Sequence, residues 1–436
     1  MKGNNTKRFA TFALLALLVA ALSMPSAAAH GAPVAQTPPE RIRIYSSFPA
    51  GPQATALINA MNLALEQQAR NGLVCRSKYQ LEHVLLNGPT VISATASLTG
   101  TAIAATPTAR ATMRATTRPI STTVASRAKA DAQTVVNDPD AMLFFGSLDA
   151  AADKVMLPVF AAANLLMISP SDAYPGLTKP WDAGEPQAYQ PNGTLAFARV
   201  IPSDDVQGEI GAKWAKSMGV RRVTILHDGS VRGKGLADAF RATAKSISLV
   251  EEGYEDLKAA TSKSALIDKI KGSEAQMVYL GTAPPTDAGA WVKDMRAAGL
   301  DELLILGNDS LLDASVLRAT GADVNRLFAT APGFPQAKLP AKGKRFYTDY
   351  QKRYQTEPLP IAIYGFEAMS VAVRVIGSVC QKDRAVIRAA VLATKNFNGV
   401  LGTWAFDAAG DTSLKSMQGY HVVEGNWESA GPLIFK

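Results

Sequence analysis

The sequence predicts an α/β protein of two lobes, each a doubly wound parallel sheet. Three observations carry that expectation. Residues 141–176 read as strand, turn, helix, strand, turn: an apolar run broken by Gly146 and Ser147, a helical pattern, then a second apolar run stopped by Ser169 and Pro170. A βαβ unit of this kind makes its strands parallel and sets both turns at one sheet edge. From Leu195 the pattern restarts, and short apolar runs alternate with helical patterns as far as Leu306. That alternation predicts a second parallel sheet with helices on both faces. The restart falls near Arg199 with no disordered linker, so the two lobes should meet across a cleft, where ligand pockets concentrate.

Each element has a local reason. Residues 41–46 (Arg-Ile-Arg-Ile-Tyr-Ser) alternate with period two and predict a strand. Residues 47–52 hold two prolines and a glycine, a turn. Ala54, Leu57, Ile58, Met61 and Leu65 recur at helical spacing, and Asn71-Gly72 ends that helix. Residues 79–86 form the next strand. Residues 87–124 are Thr, Ala and Ser with scattered Arg and no sustained period, which predicts a low-complexity surface insertion. A helix over 126–137 leads to Asp138-Pro139 and the βαβ unit, whose helix Asp149 is placed to cap. The loop 174–193 carries four prolines. Strands are then expected at 197–201, 222–226, 249–253, 277–280 and 303–306. Helices are expected from Asp204 or Asp205 to Met218 and over 233–246, 262–271 and 287–298. A strand at 327–330, helices over 343–354, 363–378 and 383–393, and short β segments at 403–407, 420–423 and 433–435 complete the chain.

Composition bounds the function. Residues 1–29 combine Lys2, Lys7 and Arg8, an apolar stretch over 9–22 and Ala27-Ala28-Ala29, the layout of a secretory signal peptide. Removing those three basic residues from a net charge of +8 leaves +5. Much of the remainder lies at Arg110, Arg114, Arg118, Arg127 and Lys129, in a stretch without acids. No basic stripe is interleaved with aromatics, so nucleic-acid binding is not called for. Beyond the leader no segment reaches about 18 uninterrupted apolar residues, and a soluble, exported protein is expected. Cys75 and Cys380 are the two cysteines; an exported chain can pair them, and sequence alone leaves pairing open.

Catalytic patterns are missing. His30, His83, His227 and His421 are not at metal-binding spacing, and there is no Cys-x-x-Cys and no Gly-x-Ser-x-Gly. Gly233-Lys234-Gly235 is only a fragment of a phosphate loop, without the Gly-Lys-Ser/Thr, and reads as a helix start. His227-Asp228, at a strand end, can face a cleft or be structural. No enzyme activity, cofactor or metal is therefore expected. What remains is a set of strand-end turns at 46–53, 147–150, 171–173, 228–234, 282–285 and 308–310. Their hydroxyls, helix-start donors and few acids suit a small polar ligand.

Four stretches then carry a family likeness: Leu166-Met167-Ile168-Ser169-Pro170, Asp204-Asp205-Val206-Gln207-Gly208, Gly233-Lys234-Gly235-Leu236-Ala237, and residues 401–407 with Gly410-Asp411. In these the chain resembles the substrate-binding proteins of branched-chain amino acid ABC transporters over nearly all of 41–436. The resemblance implies the type I periplasmic-binding-protein fold, with a hinge of three crossings near Arg199, Ala331 and Gln418. The first lobe would be 41–199 plus 331–418, and the second 200–330 plus 419–436. Both cysteines would then lie in the first lobe, which favours their pairing. The implied partners are a small-molecule ligand and a membrane permease, with the protein a monomer; a ligand-sensing subunit for a membrane receptor or kinase is the alternative.

Carried over residue by residue, the family's ligand-ammonium acid falls at Asp309, which by type is also a turn or cap residue. Its backbone-binding position falls at Ser171, beside Asp172, and the first turn contributes Leu148 and Asp149. Two hydroxyl contacts align with Ala150 and Ala173, and aromatic contacts with Ala56, Arg232 and Ala283. Arg232 would add a cation suited to a carboxylate, or be a solvated loop charge. Phe48 and Tyr364 are candidate aromatic walls or core residues. The ligand expected is an amino acid, amide or related carboxylate.

Overall fold

The computed structural model describes residues 38–86, 92–93, 124–260, 262–281, 285–321 and 324–435, and residues 39–436 make one compact unit. The leader at 1–29, most of the 87–124 insertion and Ala283 lie outside the described residues.

The first sheet contains β1 (Glu40–Ser46), β2 (Leu73–Val74), β3 (Tyr79–Leu85), β4 (Ile92–Ser93), β5 (Ala141–Phe145), β6 (Leu166–Ser169) and β7 (Phe197–Arg199). Its order is β2-β3-β1-β5-β6-β7, with β4 on β3. β3, β1, β5, β6 and β7 run parallel, while β2 and β4 are antiparallel to β3. The second sheet contains β8 (Arg222–His227), β9 (Val250–Asp256), β10 (Met277–Gly281), β11 (Leu304–Gly307) and β12 (Leu327–Pro332). After a small hairpin of β13 (Phe397–Gly399) and β14 (Gly402–Trp404), β15 (Met417–Val423) and β16 (Asn426–Leu433) return to it. The order is β16-β15-β12-β11-β10-β8-β9. Its body is parallel, as expected, and its β12–β15–β16 edge is antiparallel.

Helices α1 (Pro52–Gln68), α2 (Val124–Asn137) and α3 (Ala150–Ala162) belong to the first half of the chain. α4 (Asp204–Ser217), α5 (Val231–Ser246), α6 (Lys263–Lys271), α7 (Pro285–Ala297) and α8 (Ala314–Thr320) follow. α9 (Ala341–Tyr354), α10 (Ala362–Val379) and α11 (Arg384–Leu392) come after β12.

Both sheets are buried on both faces, as parallel sheets must be. Leu143 and Phe145 of β5 join a core with α1, α9 and α10. Phe144 between them points the other way, into a core with α2 and α3. In the second sheet Val278 and Leu280 face α6 and α7, whereas Met277 and Tyr279 face α4 and α5. α10 has the length and apolar composition of a membrane span but is mostly buried, in the first of these cores. Cys75 and Cys380 form a disulfide across 305 residues of sequence, tying the end of α10 to the turn between β2 and β3.

Two motifs from the sequence have packing reasons. Gly208 on α4 lies against α5; a Cβ there would stand 2.5 Å from the Ala239 Cβ and 2.7 Å from the Phe240 nitrogen. Gly410 has φ +86°, and a Cβ on it would meet the Phe197 carbonyl at 2.4 Å. That close approach lets Arg199 N donate to Gly410 O at 2.9 Å and sets Asp411 beside the Arg199 side chain. A small correction concerns α4: Ser203 is its N-cap residue and makes no side-chain cap bond, while Asp204 and Asp205 sit in the first turn. α5 starts at Val231 because the Ser230 hydroxyl accepts from Gly233 N at 3.0 Å.

The topology positions the site. In the first sheet the strand order reverses between β1 and β5, and in the second between β8 and β10. Crevices at such switch points, beyond the carboxyl ends of strands, are where open α/β sheets take ligands.

Candidate functional site

The turns after β5 and β6 form a knitted unit. The Asp149 carboxylate accepts from Ala151 N at 2.9 Å and caps α3 as expected. Ser147 donates its hydroxyl to Asp153 Oδ1 at 2.8 Å and its amide to the same oxygen at 3.1 Å. The Ser171 hydroxyl donates to the Ser147 carbonyl at 2.9 Å, so it binds the neighbouring turn. Ser169 Oγ accepts from Asp172 N at 2.7 Å, and Asp172 Oδ1 accepts from Tyr174 N at 2.9 Å. Asp153 and Asp172 are both buried. Burial raises both carboxyls, Asp153 well above the usual range, and their mutual repulsion adds to the Asp153 shift. Burial and the proximity of two like charges both disfavour ionisation of the pair.

Arg199, at the end of β7, anchors this unit from below. It is fully buried, donates from Nε to Asp411 Oδ1 at 2.6 Å and from Nη1 to the Tyr174 carbonyl at 2.8 Å. Lys179 adds a second cation, 3.2 Å from Asp411 and 2.7 Å from Asp205. The proline-rich loop 174–193 is ordered around Glu185, which accepts from the Tyr174 and Tyr189 hydroxyls at 2.9 and 2.6 Å and pairs with Lys154 at 2.7 Å.

The second sheet supplies charge. Arg232, in the first turn of α5, donates from Nη2 to Asp309 Oδ1 at 2.6 Å, and its Nε lies 3.5 Å from Asp204 Oδ2. Gln207 Nε2 donates to the Thr330 carbonyl at 2.8 Å and faces Asp309 Oδ1 at 3.3 Å. Asp204 is fully buried; burial pushes its carboxyl up to about 6, against the opposing pull of Arg232. Burial alone would lower the Arg232 guanidinium, but Asp309 and Asp204 outweigh it and raise it. The Arg232 and Asp309 side chains remain 28% and 30% exposed. Asp172 lies close enough to Arg232 and Asp204 to influence both charges.

The two sheet edges touch around this cluster. Asp204 N donates to the Ala173 carbonyl at 2.7 Å. The Tyr174 ring lies against Gly235 of α5, where a Cβ would stand 3.2 Å from it, and Val231 packs on the core of α2 and α3.

The remaining expected positions divide clearly. Ala150 and Ala173 are buried in the two first-sheet cores, and Ala56 belongs to the core face of α1. Leu148 packs at the edge of that core. Phe48 and Tyr364 pack in the same core, and Tyr364 Oη is a buried atom with no hydrogen-bond partner among the described residues. Arg232 is not a solvated loop charge. Asp153, Arg199, Asp204, Gln207 and Thr330 were missed as site residues; the Asp204–Gly208 motif was the signal for two of them. Two surface cavities of about 470 and 520 Å³ lie elsewhere, the first at the amino-terminal edge of the second sheet near Gln276 and the second between α1, α9 and β13. Among the described residues no group of three His, Cys, Asp or Glu side chains is arranged to hold a metal.

Residues 122–429 match the sequence profile of the periplasmic binding protein family. The chain belongs to that family. A Leu/Ile/Val-binding protein homologue from Brucella melitensis is 26% identical over 262 residues, which span 59% of this chain and 66% of the relative, just under two thirds of its length. The fold matches the branched-chain amino acid substrate-binding protein LivJ of Streptococcus pneumoniae, solved with isoleucine, with a TM-score of 0.67, 19% identity and coverage of 91% of this chain and 100% of the other. It also matches a solute-binding protein of an ABC transporter from R. palustris in complex with 4-hydroxybenzoate, with a TM-score of 0.68, 15% identity and coverage of 91% and 97%. The two doubly wound lobes are thus those of a type I periplasmic binding protein, and the relatives are solute-binding proteins rather than enzymes.

Proposed function

We propose that this protein captures a small polar molecule between its two sheet edges, outside the cytoplasm, and delivers it to an ABC permease. The observation that carries the reading is the convergence of Asp172, Asp204, Arg232 and Asp309, drawn from both sheets, at the carboxyl ends of the strands. Residues 1–29 act as the export signal. The lobes are 41–199 with 331–418 and 200–330 with 419–436, and they close on the ligand as a monomer about the crossings near Arg199, Ala331 and Gln418. Ser171, Asp172, Arg232 and Asp309 face the ligand, with Leu148, Asp149, Ala150 and Ala173 shaping the first-lobe side.

A thermal-shift screen of amino acids, amides and small carboxylates tests this. A compound at about 100 times its dissociation constant should stabilise the fold by about 2.7 kcal/mol, and small-angle scattering should show a smaller radius with it bound. A screen in which no compound of these classes raises the melting temperature counts against solute capture.

A further inference from the structure

We propose that Arg232 stands where a ligand's ammonium group would otherwise sit, and that the cleft therefore selects carboxylates that carry no α-amino group. The inference rests on the reading of this cleft as the solute site. Asp309 is the exposed acid of the second-sheet half, and its Oδ1 already accepts from Arg232 Nη2 at 2.6 Å and faces Gln207 Nε2 at 3.3 Å. A free ammonium would have to displace a guanidinium that is tethered in place, and a tethered partner wins at any modest ligand concentration. Arg232 is held on its other side by the fully buried Asp204 at 3.5 Å, so it is positioned rather than mobile. With 28% of its side chain exposed, the guanidinium keeps donors for a carboxylate, which its planar fork suits.

The charge count points the same way. Arg232 and Asp309 together are neutral, so a carboxylate added to them gives the same total charge as a zwitterion added to a lone acid. Asp204 and Asp172 would repel an incoming anion; burial raises both carboxyls, so that repulsion is least below about pH 6, where Asp204 takes up its proton. On the first-sheet side Ala150 and Ala173 offer no side-chain acceptor to an ammonium.

Matched pairs decide the question by calorimetry at neutral pH: isocaproate against leucine, and hydrocinnamate against phenylalanine. The native protein should bind each carboxylate at least about tenfold more tightly than its amino partner. Asp309→Asn frees the guanidinium and should tighten carboxylate binding several-fold. Arg232→Gln should lose about tenfold or more of it, and Arg232→Lys should recover part through its charge. A native protein that prefers the amino acids overturns the inference and leaves solute capture standing. So does an Asp309→Asn variant that binds its ligand more weakly, because Asp309 would then be the ligand's own acceptor. Silence from all four compounds, alongside other ligands found in the wider screen, overturns the inference alone; silence across the wider screen overturns both.

Discussion

In the turns after β5 and β6, most polar atoms serve one another, although Asp153 Oδ2 and Asp172 Oδ2 have no hydrogen-bond partner among the described residues. Ser147 is held by Asp153, Ser171 by Ser147, and the backbone of Asp172 by Ser169. The second-sheet half is built on the same strand, turn and helix starts but carries a guanidinium between two carboxylates. One half is a frame of hydrogen-bonded turns with Ala150 and Ala173 buried in its cores, and the other carries the Arg232 ion pairs. The difference teaches that similar strand-end turns can be used in two ways: one half engages its hydroxyls in internal hydrogen bonds, and the other pairs a long side chain with acids of neighbouring turns.

The largest effect should come from breaking the frame. Asp411→Ala strips the buried Arg199 of its 2.6 Å partner, and loss of one partner of a buried ion pair costs about 3–5 kcal/mol. Urea unfolding should show that loss, and because Arg199 also holds the Tyr174 carbonyl, the first half of the cleft should loosen with it. Unchanged stability would mean that Asp205 and solvent compensate for the lost carboxylate.

An intermediate effect lies in the pH response of the charged half. The folded state raises the Asp204 carboxyl from its ordinary 3.8 to about 6, chiefly by burial. The folded protein therefore holds that proton more tightly than the unfolded chain, so the stability linked to it is full below pH 3.8 and is lost as pH rises through about 6. Melting temperature followed across that window should fall more steeply in the native protein than in Asp204→Asn. Identical slopes would assign the response to the Asp153–Asp172 pair in the first-sheet frame.

The smallest effect should come from restoring a hydroxyl to the frame. Ala150→Thr offers one hydrogen bond, worth about 0.5–1.5 kcal/mol, and should improve leucine affinity roughly two- to tenfold if the frame has kept its shape. No gain, with the fold intact, would show that the turns themselves have moved.

Most of the frame could be read from the chain alone. The period-two run at β1, the Asp149 cap and the alternation from β8 to β11 are local features, and local geometry follows from residues a few positions apart. The α8 helix and the β2 and β13 strands escaped because each is too short for a period to show. The Gly208 and Gly410 positions were visible as motif members, yet their reasons, a helix and a strand pressed against the missing Cβ, were not.

What the sequence by itself determined is the order of the longer strands and helices and the two-lobed α/β class, since hydrophobic periodicity and turn residues act over short separations. What only the tertiary structure decided is which charges meet. Arg232 and Asp309 are 77 residues apart, and Arg199 and Asp411 are 212 apart. Each pair joins strand ends that are distant in sequence but adjacent within one half of the fold, and no local pattern records whether an arginine will end in solvent or beside carboxylates.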